Sequence, residues 1–363
     1  MNNNKPIAIE LFAGAGGLSL GLENAGFHVA LAIEIVDEYA KTLKKNHPNT
    51  KVLVEDIHNV DFKKEIADLG ITEVDLVSGG PPCQGFSTVG RKNEQDPRNS
   101  LFYEYLRAIS ELRPKYAVFE NVWGFKGMYG GKTYLTLLKE MDALGYNTVS
   151  DVLYAPDYGI PQTRKRFIMI ASRKDLQKAD LPQKVPGNPT LKDAISDLPP
   201  LNENESKNFY ASAPQNAYQQ KMRANAPQIL TEHATGSHTP KIKKLMEAIK
   251  PGQRLKDLPL ELKPERAKDP NRVVFPNTYG RLEMDKPCST ITRQFVCVSS
   301  GTFIHPTQNR TLSFREAARV QSFPDDYVFL GKSKNVQLGN AVPPMLGEAI
   351  GKEIVKVLAT KTI

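Results

Sequence analysis

A chain of 363 residues with 40% apolar composition can fill a core for one large domain and a smaller companion. Three cysteines (Cys83, Cys288, Cys297) cannot form a fully paired disulfide framework, and no signal segment or long apolar run interrupts the sequence. The six histidines have no metal-ligand spacing, so the expectation is a soluble cytoplasmic protein with no metal. A formal net charge of +8 makes an acidic partner plausible, nucleic acid being the commonest.

Residues 7–11 are nearly all apolar, as in a central parallel strand buried on both faces. Phe12-Ala13-Gly14-Ala15-Gly16-Gly17 follows, and residues 18–26 read as a helix closed by a glycine. Glycines between a strand and a helix let backbone N–H groups approach a ligand, although a plain tight turn reads equally well from this stretch alone. Residues 29–33 form the next strand, ending at Glu34, where a carboxylate can accept from the two hydroxyls of a ribose or cap the helix at 37–46. Strand 51–54 ends at Glu55-Asp56-Ile57, and helix 62–69 leads to strand 74–78.

Gly79-Gly80-Pro81-Pro82-Cys83-Gln84-Gly85-Phe86-Ser87 comes next, and its prolines and glycines put Cys83 in a loop beyond the carboxyl end of a strand. Ligands bind at that edge of an open α/β sheet, so the thiol faces a site, with structural burial as the alternative. The run 88–99, with Arg91, Lys92 and Arg98, reads as a basic loop able to close over a phosphate backbone, or simply as a solvated one. Helix 101–112, strand 116–119 running into Glu120-Asn121-Val122, helix 132–144 and strand 148–154 continue the alternation. Gln162-Thr163-Arg164-Lys165-Arg166 precedes strand 167–171, and period-two spacing would put Arg164 and Arg166 on one face. The pattern as a whole predicts an α/β, doubly wound, mostly parallel sheet with its site along one edge.

From residue 172 the texture changes. Residues 171–290 hold 14 of the 26 prolines, and residues 171–270 carry 17 Lys and Arg against 12 Asp and Glu. This reads as a smaller, loop-rich basic domain suited to nucleic acid, with short strands at 279–282, 290–293 and 295–298. Ser313 with Glu316 three residues on marks a capped helix over 315–322, and residues 344–358 form a terminal helix whose natural partner is the sheet.

In order, Phe12-x-Gly14-x-Gly16-Gly17, Pro81-Pro82-Cys83-Gln84, Glu120-Asn121-Val122, Gln162-x-Arg164-x-Arg166, Arg315-Glu316-Ala317-Ala318-Arg319-Val320-Gln321 and Gln337-x-Gly339-Asn340-x-Val342 resemble the motifs of the DNA (cytosine-5) methyltransferases. The resemblance spans nearly the whole chain except its basic middle. One departure is Ile35, where relatives often carry an aromatic residue.

The resemblance implies a Rossmann-like fold that binds S-adenosylmethionine through Phe12, Ala13, Gly14, Ala15, Gly16, Gly17, Glu34, Ile35, Asp56, Ile57, Pro81, Leu101, Asn340 and Ala341. It divides the chain into a catalytic domain, 1–171 plus 336–363, and a target-recognition domain with hinge, 172–335. Cys83 would add to carbon 6 of a flipped-out cytosine and Glu120 would hold N3 and the 4-amino group. Arg164 would hold O2 and Arg166 would support it. Gln84, Ser87, Arg91, Arg98, Arg281 and Arg293 are the candidate DNA contacts. The expected partner is double-stranded DNA, acted on by a monomer, with a cognate restriction endonuclease as a candidate companion. The competing readings are a tRNA cytosine-5 methyltransferase, an inactive DNA-binding relative and, from the glycine turn alone, a nicotinamide dehydrogenase.

Overall fold

The computed structural model describes residues 5–82, 100–268 and 277–360. Seven strands form one sheet: β1 (Ile7–Leu11), β2 (His28–Ile33), β3 (Lys51–Leu53), β4 (Leu76–Gly79), β5 (Tyr116–Val122), β6 (Tyr146–Tyr154) and β7 (Lys165–Arg173). Their spatial order is β3-β2-β1-β4-β5-β7-β6, parallel except for β7, which runs antiparallel to both its neighbours. The chain winds outward from β1 in one direction and from β4 in the other. The crevice for a ligand therefore opens above the carboxyl ends of these two adjacent strands.

Near-continuous apolar strands are buried on both faces, as parallel strands must be. Ile9, Leu11, Val77 and Phe119 pack on one side with Phe62, Phe102, Tyr105, Ile109, Leu137 and Met141. These last come from α3 (Phe62–Asp68), α4 (Ser100–Leu112) and α5 (Lys132–Ala143), whereas α1 (Gly17–Ala25) covers the opposite face and α2 (Asp37–Asn46) follows β2. On that opposite face Ala8, Val29, Leu76 and Val118 meet Leu18 and Leu22 of α1 and Leu346, Ile350 and Ile354 of the terminal helix Pro344–Ala359. The terminal helix thus finds the sheet, as expected, and also a helical partner. A Cβ on Gly21 would lie 2.5 Å from the Pro344 carbonyl oxygen, and one on Gly351 would lie 2.6 Å from Ala25 Cβ, so the two helices meet backbone to backbone.

The second region is loop-rich, as its sequence suggests, and departs from that reading in its short strands. Gly280–Arg281 (β8) does pair, but with Thr302–Ile304 (β9) in parallel. The expected strands at 290–293 and 295–298 are absent: the Ile291 N–H bonds the Gln162 side chain at 2.9 Å, and 294–297 is a turn around buried Phe295. Side-chain acceptors here replace a strand ladder. Helix Phe314–Val320 carries the expected capping box between Ser313 and Glu316. Two further apolar clusters serve this region, one around Phe323 and Leu338 that reaches Ala15, the other around Met246 and Tyr279.

Candidate functional site

At the carboxyl edge of the sheet lies a cavity of about 710 Å³, within the range of small-molecule sites. Its glycine wall begins where Phe12 leaves β1 with a φ of 57°, a left-handed conformation uncommon outside glycine. That turn swings Ala13, Gly14 and Ala15 into the wall. Gly16 does not line it. With a φ of 81°, it is needed for clearance, since a Cβ there would lie 2.6 Å from His47 Nε2.

Glu34 stands at the end of β2, 7% exposed, and accepts from the N–H groups of Gly14 and Val36, both at 2.8 Å. Each oxygen holds one backbone donor and retains lone-pair capacity for a ligand hydroxyl. Helix α2 is capped by Val36, so the helix-capping alternative for Glu34 is not the one used. Burial raises the carboxyl above its ordinary pKa, against these backbone N–H groups. Asp56 and Ile57 line the next wall, with Asp56 held by the His58 N–H at 3.1 Å and its ring Nδ1 at 2.6 Å. Ile35, Pro81, Leu101, Asn340 and Ala341 complete the expected set around the cavity. Gln337, which opens the last of the six motifs, lines it too, as do Val36, Tyr39 and Val336, to which no motif in the sequence pointed.

The same cavity runs to a second group of polar side chains. Glu120 lies within β5, opposite Ile168 of β7, and its Oε1 accepts from Arg166 Nε at 2.7 Å, both side chains being largely buried. Burial pushes the Glu120 carboxyl above its ordinary pKa, offset by Arg166 and Arg164, which favours a proton-bearing form. A Cβ on Gly80 would lie 2.5 Å from Glu120 Oε2, so the carboxyl rests against the backbone that leads to Cys83. Asn121 donates to the Pro81 carbonyl at 3.2 Å and fixes the exit of that segment. Cys83, Gln84, Ser87, Arg91 and Arg98 lie outside the described residues.

The two arginines expected on one face have separate tasks. Arg164 is 2% exposed and donates to the carbonyls of Ile291 at 2.9 Å and Gly339 at 2.7 Å, which ties three distant segments together. Arg166, not Arg164, pairs with Glu120 and lines the cavity. The candidate DNA residues divide likewise. Arg293 is exposed and at the cavity rim, whereas Arg281 is 5% exposed and donates to the carbonyls of Met246, Ile249, His305 and Gln308. Arg281 is an interior cross-link and cannot reach DNA without dismantling this arrangement.

The wall suits S-adenosylmethionine: a close-approach glycine loop, a carboxylate with lone pairs to spare for hydroxyls, apolar sides and, among the described lining residues, no cluster of cations to hold phosphates. Among the described residues no three His, Cys, Asp or Glu side chains converge as a metal site, and no helix is long and apolar enough to cross a membrane. The family model for C-5 cytosine-specific DNA methylase matches residues 7–356. Type II methyltransferase M.DdeI of Desulfomicrobium norvegicum is 38% identical over 95% of this chain and 88% of its own length. Type II methyltransferase M1.HphI of Haemophilus parahaemolyticus is 36% identical over 96% and 86%. The crystal structure of a putative DNA modification methyltransferase from an Escherichia coli prophage superposes with a TM-score of 0.79, at 25% identity, covering 97% of this chain and 99% of that one. The chain therefore belongs to the C-5 cytosine-specific DNA methylases, and its reaction is methyl transfer to carbon 5 of cytosine in DNA.

Proposed function

We propose that the protein methylates cytosine within a specific duplex sequence, with Cys83 as nucleophile, Glu120 as the acid at N3 and Arg166 as the donor to O2. The observation that carries this is the Glu120–Arg166 pair opening into the glycine-walled cavity beside Gly80 and Pro81. Carbon 5 of cytosine is a poor nucleophile until a thiolate adds to carbon 6, and the negative charge this addition sends to N3 and O2 needs donors already in place. Glu120, whose carboxyl burial shifts toward the protonated form, donates to N3. Its other oxygen accepts from the 4-amino group.

Arg166 takes the O2 role expected for Arg164, whose two terminal nitrogens donate to the Ile291 and Gly339 carbonyls and which does not line the cavity. S-adenosylmethionine, when bound, supplies the electrophilic methyl group. A base then removes the carbon-5 proton as the Cys83 thiolate leaves. The glycine loop, Glu34, Asp56, Ile57 and Asn340 hold the cofactor, and Arg293 meets the DNA. The separate cluster around Met246 and Tyr279 supports target recognition by residues 172–335. Relatives named as Type II methyltransferases support a cytoplasmic restriction-modification role alongside a cognate endonuclease.

Labelled methyl transfer followed by bisulfite sequencing tests the assignment. Wild type marks one cytosine in a recurring duplex sequence, Cys83→Ala marks none, and Arg166→Gln is slowed about 10²–10³-fold, as for loss of one oxyanion donor. Full activity in Cys83→Ala, or tRNA accepting methyl groups faster than duplex DNA, overturns it.

A further inference from the structure

Residues 327–333 lie along one face of α2 and are tied to it at successive turns. Val328 exchanges hydrogen bonds with the Asn46 side chain through its N–H and its carbonyl, both at 2.8 Å. The Leu330 N–H donates to Thr42 Oγ1 at 2.9 Å, and Ser333 donates to Glu38 Oε1 from its N–H at 2.6 Å and its hydroxyl at 2.7 Å. Glu38, Thr42 and Asn46 are four residues apart, so they share a face, and the segment forms a strap across it.

Tyr327 pins the strap's start beneath the glycine loop. Its buried hydroxyl donates to the Ala15 carbonyl and lies 3.1 Å from His47 Nε2, while His47 Nδ1 is 2.8 Å from Glu23 Oε2. The clearance at Gly16 is set by the same two groups, His47 Nε2 at 2.6 Å and Tyr327 Oη at 2.7 Å from an added Cβ. Ala15 therefore cannot move outward without losing this bond, nor inward without leaving the wall it forms.

Three walls of the cofactor cavity converge on this strap. It holds the glycine loop through Tyr327 and it grips α2, which begins directly after Glu34, Ile35 and Val36. It then continues into helix Lys334–Asn340, which supplies Val336, Gln337 and Asn340. We infer that Tyr327 is a positioning residue for cofactor binding, and that the strap 327–333 holds the glycine loop, the ribose acid and the 336–341 wall in register. This rests on the cofactor reading above.

The test separates positioning from simple fold support. Tyr327→Phe removes one hydroxyl and keeps the ring against Phe323 and Phe329. Calorimetric titration with S-adenosylhomocysteine should show Kd rising about ten-fold, the scale of one lost buried hydrogen bond. KM for S-adenosylmethionine should rise in parallel, with kcat at saturating cofactor and KM for DNA within about two-fold of wild type. Thr42→Val removes the acceptor for the Leu330 N–H at nearly constant volume and should raise the same Kd several-fold, so the inference stays testable should Tyr327→Phe not fold. A lower melting temperature with unchanged cofactor affinity, or an equal loss in KM for DNA, overturns the positioning role. If wild type itself binds no S-adenosylhomocysteine, the cofactor reading fails. If wild type binds and both variants bind equally well, the strap inference alone fails.

Discussion

The seven-stranded sheet and the region 172–335 are held together by different chemistry. In the sheet each strand satisfies its neighbours' backbone groups, and both faces are sealed by aliphatic and aromatic side chains. In the second region the one strand pair among the described residues, β8 with β9, is two to three residues long, and buried arginines do most of the cross-linking. Arg281 gathers four carbonyls, Arg310 forms a bidentate pair with Glu316 at 2.7 and 2.7 Å, Arg315 bonds the Thr231 carbonyl, and Arg319 joins Asp325 to Asp197. All four are 5% exposed or less. Part of the positive charge of this half is thus internal scaffolding rather than a surface for phosphates.

The largest effect should follow from breaking that scaffolding. Arg319→Ala leaves Asp197 buried against Arg223 at 3.0 Å, and Asp325 buried against Arg315 at 3.6 Å and the Tyr210 hydroxyl at 2.8 Å, each without its main cation. Removing one partner of such a buried pair costs about 3–5 kcal/mol. Ile9→Val in the sheet, a change of one methylene, should cost about 1 kcal/mol. Denaturant titration of both variants checks the contrast, and a loss below 1 kcal/mol in Arg319→Ala would remove it.

The sheet was legible because its alternation is local: β1 and α2 fall at the residues read from the sequence, and Glu34 and Glu120 stand near the strand ends as expected. The second region was not, because its order depends on pairs far apart in the chain. Arg281 and Arg293 have the same side chain and both lie in a short stretch read as a strand, and tertiary burial is what separates them. Arg164 shows a subtler limit. Period-two alternation assumes an extended chain, yet β7 begins at Lys165, and the Arg164 N–H closes a tight turn onto the Gln162 carbonyl at 2.8 Å. The rotation aims its guanidinium at Ile291 and Gly339. The strap on α2 was equally hidden, since its bonds link residues more than 280 apart.

A smaller effect concerns pH. His305 is 4% exposed, and burial holds its pKa at about 4 although Glu316 lies 3.7 Å away, with Arg310 and Arg281 opposing the charged form. The unfolded chain binds this proton near pH 6.5, so between pH 6.5 and 4 the unfolded state carries more protons than the native one. The stability contributed is complete above pH 6.5 and is lost as pH falls toward 4, by on the order of 3 kcal/mol at most. Glu316, held below the usual carboxylate range by Arg310 despite its burial, adds a loss only at more acid pH, below its unfolded value. Melting temperatures between pH 7.5 and 4.5 should therefore fall for wild type and fall less steeply for His305→Asn. Parallel curves would show that the ring is not a neutral interior group.

The smallest effect sharpens the comparison most directly, because it sets two arginines of the same region against each other. Arg293 is exposed beside the cavity, and its loss should weaken duplex binding only a few-fold while lowering the slope of log affinity against log salt by about 1, with the melting temperature unchanged. Arg281→Ala should do the reverse at the level of mechanism, removing the donors of four buried carbonyls and costing stability while the salt slope of the folded fraction stays as in wild type. Fluorescence anisotropy of a labelled duplex at several salt concentrations measures the slope. A reduced slope in Arg281→Ala with stability intact would mean that its guanidinium leaves the interior for DNA, and the division between scaffold and surface charge would have to be redrawn from that residue outward.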